Sequence, residues 1–223
     1  LNFTISNSQF YNNSAGLHGG AIANQMANSL IYNNVFDGNR AETNIGGTLL
    51  MKENGASNTV VDHCYIYNSY CGVASSYGAG GGAISIGPGD KNITISNCAI
   101  INSTANHTYG GAISIRSPDC SLINVTIQDV QTLDSEAGAI LWGGDNGFIN
   151  NVTIYNSSTY VCNHNDKNVH GGAIYLLGSN CQLNDIHITT TSTNINDSSI
   201  GKSGYGGAIY VAGSENVISN IEI

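Results

Sequence analysis

Short runs of alternating apolar and polar residues recur along the chain in the frame apolar-x-Asn-x-x-apolar. Aligned on the central polar residue, eight copies place Asn7, Asn33, His63, Asn97, Asn124, Asn151, Asp185 and Asn220 in one column. Two residues earlier stand Ile5, Ile31, Val61, Ile95, Leu122, Ile149, Leu183 and Ile218, and three later stand Phe10, Phe36, Ile66, Ile100, Ile127, Ile154, Ile188 and Ile223. Every residue in both columns is apolar. The position two after the polar residue reads Gln9, Val35, Tyr65, Ala99, Thr126, Thr153, His187 and Glu222, mostly polar or small. Period-two alternation rich in β-branched residues predicts short strands with one face turned inward.

A second frame precedes the first. Gly-Gly-Ala-Ile stands at Gly19–Ile22, Gly81–Ile84, Gly110–Ile113, Gly171–Ile174 and Gly206–Ile209, with variants at Gly46–Leu49 and Ala137–Ile140. Its isoleucine begins another inward column (Ile22, Leu49, Ile84, Ile113, Ile140, Ile174, Ile209), joined two residues on by Met51, Ile86, Ile115, Trp142, Leu176 and Val211. Successive second glycines (20, 47, 82, 111, 138, 172, 207) lie 27, 35, 29, 27, 34 and 35 residues apart. Such spacing marks a solenoid. Identical columns stay in register only if successive coils stack in parallel, and no segment has a helical period. The expected fold is therefore all-β: a right-handed, single-stranded parallel β-helix of about eight coils. Residues 1–223 form one repeat array, a fragment of a longer solenoid without caps, flanked by adjoining repeats of the same chain. Gly-Gly suits a corner that needs positive φ and close backbone approach, and stacked asparagines suit a side-chain ladder.

Composition changes this picture little. Only 9% of residues are charged, so Asn, Ser, Thr and Gly supply the polarity. The net charge of −9, with six scattered Lys and Arg, argues against nucleic acid as a partner. No run approaches the roughly 20 apolar residues that span a bilayer.

Loop lengths locate the variable edge. The second glycine and the asparagine column are separated by 13 residues in most coils, but by 16 and 15 in the second and third. The stretch before each glycine pair varies more, and its long versions (67–80, 155–170 and 189–205) are rich in Tyr, Ser, Asn and His. Insertions gathered on one face of a repeat array often form the binding face. Tyr70, Tyr77, Tyr160, His164 and Tyr205 are the candidate ligand contacts.

An acidic column is the most enzyme-like feature. Eight residues past the second glycine stand Asn28, Gly55, Asp90, Asp119, Asn146, Asn180 and Glu215, with Asp145 one position earlier. Asp90, Asp119 and Asp145 on successive coils could ligate Ca²⁺ or share acid and base roles. Asn, Gly and Asp are also the residues that tolerate left-handed turns, and turn chemistry is the stronger reading. Neither a metal nor a cofactor is expected, because the histidines do not converge: His18 and His170 share the column two before the second glycine but lie far apart along the array.

Cys64 and Cys98 share a column on neighbouring coils, close enough for a disulfide, although buried free thiols fit its apolar continuation Val125, Val152, Ile186 and Ile221 better. Sequons occur at nine asparagines. Asn124 and Asn151 should be inaccessible in the ladder, while Asn102, Asn106, Asn156 and Asn196 at the loop corner are the candidate glycosylation sites.

Gly-Gly-Ala-Ile followed by Phe-x-x-Asn, as in Phe10–Asn13 and Phe36–Asn39, resembles the paired motifs of chlamydial polymorphic outer membrane proteins. The asparagine-rich, sequon-rich form looks more like the adhesin-like surface proteins of methanogenic archaea. Later repeats depart from the pattern by replacing Phe with Ile and, at Ile188–Thr191, by losing the final Asn. The resemblance implies an extracellular location at the cell surface, in a cell wall or outer membrane. It also implies a noncatalytic display rod that binds a glycan or a host or partner-cell surface. The rival expectation is a carbohydrate-active β-helix, either pectate-lyase-like or a glycoside hydrolase. Arg116 and Lys91 beside Asp119 and Asp90 support it, but the Asn-x-Asp, Asp-Asp and Gly-His-Gly signatures of polygalacturonases are absent.

Overall fold

Both inward frames become sheets. The computed structural model describes residues 3–43, 45–52, 54–72, 80–161, 169–195 and 204–223. On the glycine side, Ile22–Asn24, Leu49–Met51, Ile84–Ile86, Ile113–Ile115, Ile140–Trp142, Ile174–Leu176 and Ile209–Val211 form a seven-stranded parallel sheet. Its register pairs each isoleucine with its counterpart on the next coil. On the asparagine side, Thr4–Ser6, Leu30–Tyr32, Val60–Asp62, Thr94–Ser96, Ser121–Leu133, Phe148–Val161, Gln182–Ile195 and Val217–Glu222 pair in parallel in that order. The described residues contain strands, turns and bends and no helix. The chain is a parallel β-solenoid with seven levels on its glycine side. The expected figure of eight counts the levels of the asparagine column, which is longer than the glycine-side sheet by one level.

The core is the space between the sheets. Ile31, Val61, Ile95, Leu122, Ile149 and Leu183 are each fully buried, as are Leu49, Ile84, Ile113, Ile140 and Ile174. Each buried side chain of this size contributes about 1.5–3 kcal/mol relative to exposure. Trp142 fits a column otherwise filled by Ile86, Ile115 and Leu176 because Gly147 lies against it: a Cβ there would meet Trp142 Nε1 at 2.2 Å. The indole donates to Gly144 O at 3.0 Å, so its polar atom is satisfied. Cys64, Cys71, Cys98, Cys120 and Cys181 are buried free thiols. Cys64 and Cys98 stack as their column predicts, the Cys98 sulfur accepting the Cys64 N–H at 3.4 Å. Burial pushes the Cys71 thiol up to about 12.

The corners explain the asparagines. Within a coil, left-handed residues recur every fifth position, as at Asn92, Asn97, Asn102 and His107 and again at Asp119, Asn124, Asp129 and Asp134. Three residues of strand and a two-residue bend make one side. Among the described residues, sixteen of the 25 non-glycine residues with positive φ are asparagine, the side chain that best tolerates this region. Each corner stacks on the one below, so the array carries several ladders where the repeat frame predicted one.

In most pairs the two glycines answer two different demands. The first adopts positive φ at Gly19, Gly46, Gly110, Gly171 and Gly206, with Ala137 taking the same conformation at φ 64°. The second is a matter of space: a Cβ on Gly47, Gly82, Gly111, Gly138 or Gly172 would lie 1.9–2.1 Å from the carbonyl oxygen of the equivalent glycine on the next coil.

Candidate ligand-binding face

The acidic column does not form. Coils with 16 and 15 residues before the asparagine column place their extra residues ahead of the corner, so the partners of Asn28 are Asn58 and then Asn92, not Gly55 and Asp90. Asn58 Nδ2 donates to Asn28 Oδ1 at 3.1 Å, and Asn92 Nδ2 to Asn58 Oδ1 at 2.9 Å. Asp119 continues this ladder with φ 58° and accepts Asn146 Nδ2 at 2.9 Å. Asp145 sits one position before that corner and accepts the Ser179 N–H at 2.8 Å. Asp90 is 1% exposed, and its Oδ1 accepts the N–H groups of Gly55 and Ala56 at 2.9 and 2.8 Å, holding the extra turn. These are turn roles. Among the described residues no three His, Cys, Asp or Glu side chains are placed to hold a metal ion.

The first ladder runs along an exposed corner. Asn33 Nδ2 donates to Asn7 Oδ1 at 2.7 Å, Asn124 to Asn97 at 3.0 Å and Asn151 to Asn124 at 2.9 Å. His63 turns instead to Asp62 at 2.8 Å, and Asn97 reaches past it to Asp62 Oδ1. Near the far end, Asn220 bonds Asp185 Oδ1 at 3.1 Å. Asn124 and Asn151 are exposed, which corrects the expectation that ladder residues are inaccessible; inward packing is the task of the residue that follows each corner. Asn102 and Asn156 lie in a further ladder, not at the loop corner, donating to Asn68 at 2.6 Å and Asp129 at 2.7 Å. Asn106 donates to the Tyr70 hydroxyl at 3.1 Å. Asn196 lies outside the described residues.

The candidate ligand contacts separate. Tyr70 lies under Arg40, whose Cζ is 5.2 Å from the ring centroid. Tyr160 is paired in the asparagine-side sheet opposite Leu133 and Asn194. Tyr77 and His164 lie outside the described residues. Tyr205 belongs to a larger group.

That group forms on the outer surface of the seven-stranded sheet. Between the two inward columns, the strand centres point outward and read Ala23, Leu50, Ser85, Ser114, Leu141, Tyr175 and Tyr210. Beside them runs the residue before each glycine pair, which over the last four coils is Tyr109, Glu136, His170 and Tyr205. The His170 ring lies 4.4 Å from Tyr210, 5.1 Å from Tyr175 and 5.3 Å from Tyr205, the last stacked within 10°. Tyr175 and Tyr210 meet edge to face at 5.3 Å. His170 Nδ1 lies 3.1 Å from Glu136 Oε1, an ion-pair distance without hydrogen-bond alignment.

Next to the cluster is a groove of about 220 Å³ lined by Tyr109, Arg116, Glu136, Leu141, Tyr175 and Leu177. Leu141, at 3% exposure, belongs with Ala137, Tyr109 and Tyr175 to an apolar cluster separate from the core. Burial, then the Glu136 carboxylate and the neighbouring tyrosines, push the Tyr175 phenol up to about 12, so the ring stays neutral at any ordinary pH. The strand-centre column was readable from the chain as the position between two inward columns, and the His18/His170 column was already visible. What linked them was knowing that both run along one surface.

No family model, curated protein or solved structure matches the chain.

Proposed function

We propose that this chain is an adhesin-like module of the cell surface. In this reading it is a rigid solenoid that displays the outer glycine-side face to a glycan or partner-cell ligand and carries out no catalysis. The observation that carries the reading is the aromatic group His170, Tyr175, Tyr205 and Tyr210 beside the groove. Rings fixed on sheet positions present large amphipathic contact area with little conformational entropy to lose on binding. The likeness to surface adhesins in the glycine and asparagine motifs supports the display role, although a fold alone does not assign function. The rival lyase reading drew on three aspartates on successive coils. Asp90 is instead occupied by backbone amides, so the rival lacks its central observation.

The test is binding of the purified chain to a glycan array and to candidate partner cells. Tyr210→Ala and Tyr175→Ala should each weaken binding about tenfold, the effect of losing one good contact of about 1.4 kcal/mol. Binding that is unchanged in the double variant would remove the face from the account. Cleavage of polygalacturonate by the wild-type chain, abolished in Asp119→Ala, would favour the lyase.

A further inference from the structure

We propose that the groove selects a carboxylated sugar residue, a uronic or sialic acid, with Arg116 as the residue that recognises the carboxylate; this rests on the glycan-binding reading above. Three observations support it. First, the walls are of two kinds. Tyr109, Tyr175, Leu141 and Leu177 supply apolar surface, while Arg116 and Glu136 supply charge. A pyranose ring matches that division, with one C–H face to lay on a tyrosine and a rim of polar groups. The volume of about 220 Å³ falls below the roughly 300–1,000 Å³ of sites that enclose a drug-sized ligand, so it suits one sugar unit of a longer chain.

Second, the two charges differ in availability. Glu136 faces His170 at 3.1 Å. Among the described residues Arg116 forms no ion pair, and its guanidinium makes no hydrogen bond. Arg40, by contrast, is tied to Glu42 at 2.7 Å. In a chain of net charge −9, an unpaired guanidinium next to tyrosine rings is the group left to meet an anion. Its planar fork pairs two-pronged with a carboxylate.

Third, the opposite charge preference is disfavoured. Tyrosines beside a carboxylate could hold an amine, but here Arg116 repels a cation and Glu136 already faces a histidine.

The experiment measures binding of galacturonate, glucuronate, N-acetylneuraminate, galactose and acetate to the purified chain by ligand-observed NMR, at low and at physiological salt. Galacturonate and galactose differ at C6, where one bears a carboxylate and the other a hydroxymethyl group. Galacturonate or N-acetylneuraminate should bind about tenfold more tightly than galactose at low salt, and less so as salt screens the pair. The relative affinities of the three acids distinguish the uronic from the sialic source. Arg116→Gln should abolish the preference and leave galactose binding intact, and Arg116→Lys should keep part of it. Since Arg116 is exposed, an unchanged melting curve is expected for both variants. Equal binding of galacturonate and galactose, both lost in Tyr175→Ala, would overturn the carboxylate assignment while sparing the glycan reading. Acetate competing as well as galacturonate would overturn the sugar assignment. Binding of no glycan at all would overturn both.

Discussion

Along the seven-stranded sheet the inward positions Ile84, Ile113, Ile140 and Ile174 do not change from coil to coil, whereas the outward positions one residue on run Ser85, Ser114, Leu141 and Tyr175. Both stacks ride on the same backbone with the same register. Inside, every coil must fill the same cross-section at interior packing density, so a change of volume on one coil disturbs its neighbours. The outer stack lies beyond that shared cross-section, buried at Ser85, Ser114 and Leu141 and partly exposed at Tyr175, and its residues vary from serine to leucine and tyrosine over the later coils. Repetition marks what holds the solenoid together, and its failure marks where recognition can be placed.

The strongest test of that contrast lies in the glycines. Gly111→Ala would put a Cβ 2.1 Å from Gly138 O, a backbone atom that cannot swing away. Destabilisation of about 3 kcal/mol or more is expected by chemical denaturation. Gly207→Ala has open space within 4 Å and should stay within about 0.5 kcal/mol of wild type. Equal effects at the two sites would break the distinction between packing and sequence habit.

A smaller effect is expected at the exposed corners. Asn124→Ala forces an alanine to φ 55° and removes two ladder hydrogen bonds. A cost of about 1–3 kcal/mol follows. Asn124→Gly keeps the backbone conformation and should recover much of that loss in the same unfolding assay. If the two variants were equally destabilised, the ladder bonds and not the left-handed backbone would be the reason for asparagine.

On the outer face the expected signature is spectroscopic. Tyr175 should ionise near pH 12, and Glu136→Gln should bring its transition down because a nearby negative charge is removed. The folded phenol holds its proton more tightly than the unfolded one, whose ordinary value is 10.0. Its contribution to stability is therefore complete below pH 10 and is lost as pH rises toward 12. A Tyr175 transition at the ordinary value of 10.0 would place the phenol in open solvent and dissolve the groove.

Much of this was legible in the chain because a solenoid converts sequence period into contact. The isoleucine columns of both frames pair as alignment predicts, down to Trp142 opposite Ile115 and Leu176. The ladder through Asn58 and Asn92 was not legible. Counting a fixed eight residues from the glycine fails where a coil holds extra residues, and only backbone hydrogen bonding shows on which side of the corner they fall. Sequons read as glycan acceptors were ambiguous for a related reason: at Asn102 and Asn156 the asparagine is required by a left-handed corner, which no local motif distinguishes from a modification site.

The chain alone thus determined the all-β class, the parallel stacking and the inward face of each strand, because these follow from period and from the volume and branching of repeated side chains. Tertiary structure decided what happens where coils differ. It placed Asp90 under the backbone of a neighbouring turn, and it brought His170 to Glu136, Tyr175 and Tyr210 on one surface. Those contacts depend on the path of unequal insertions around a common rod, and a path in space is set by the closed hydrogen bonding of the whole coil, not by the residues of any one segment.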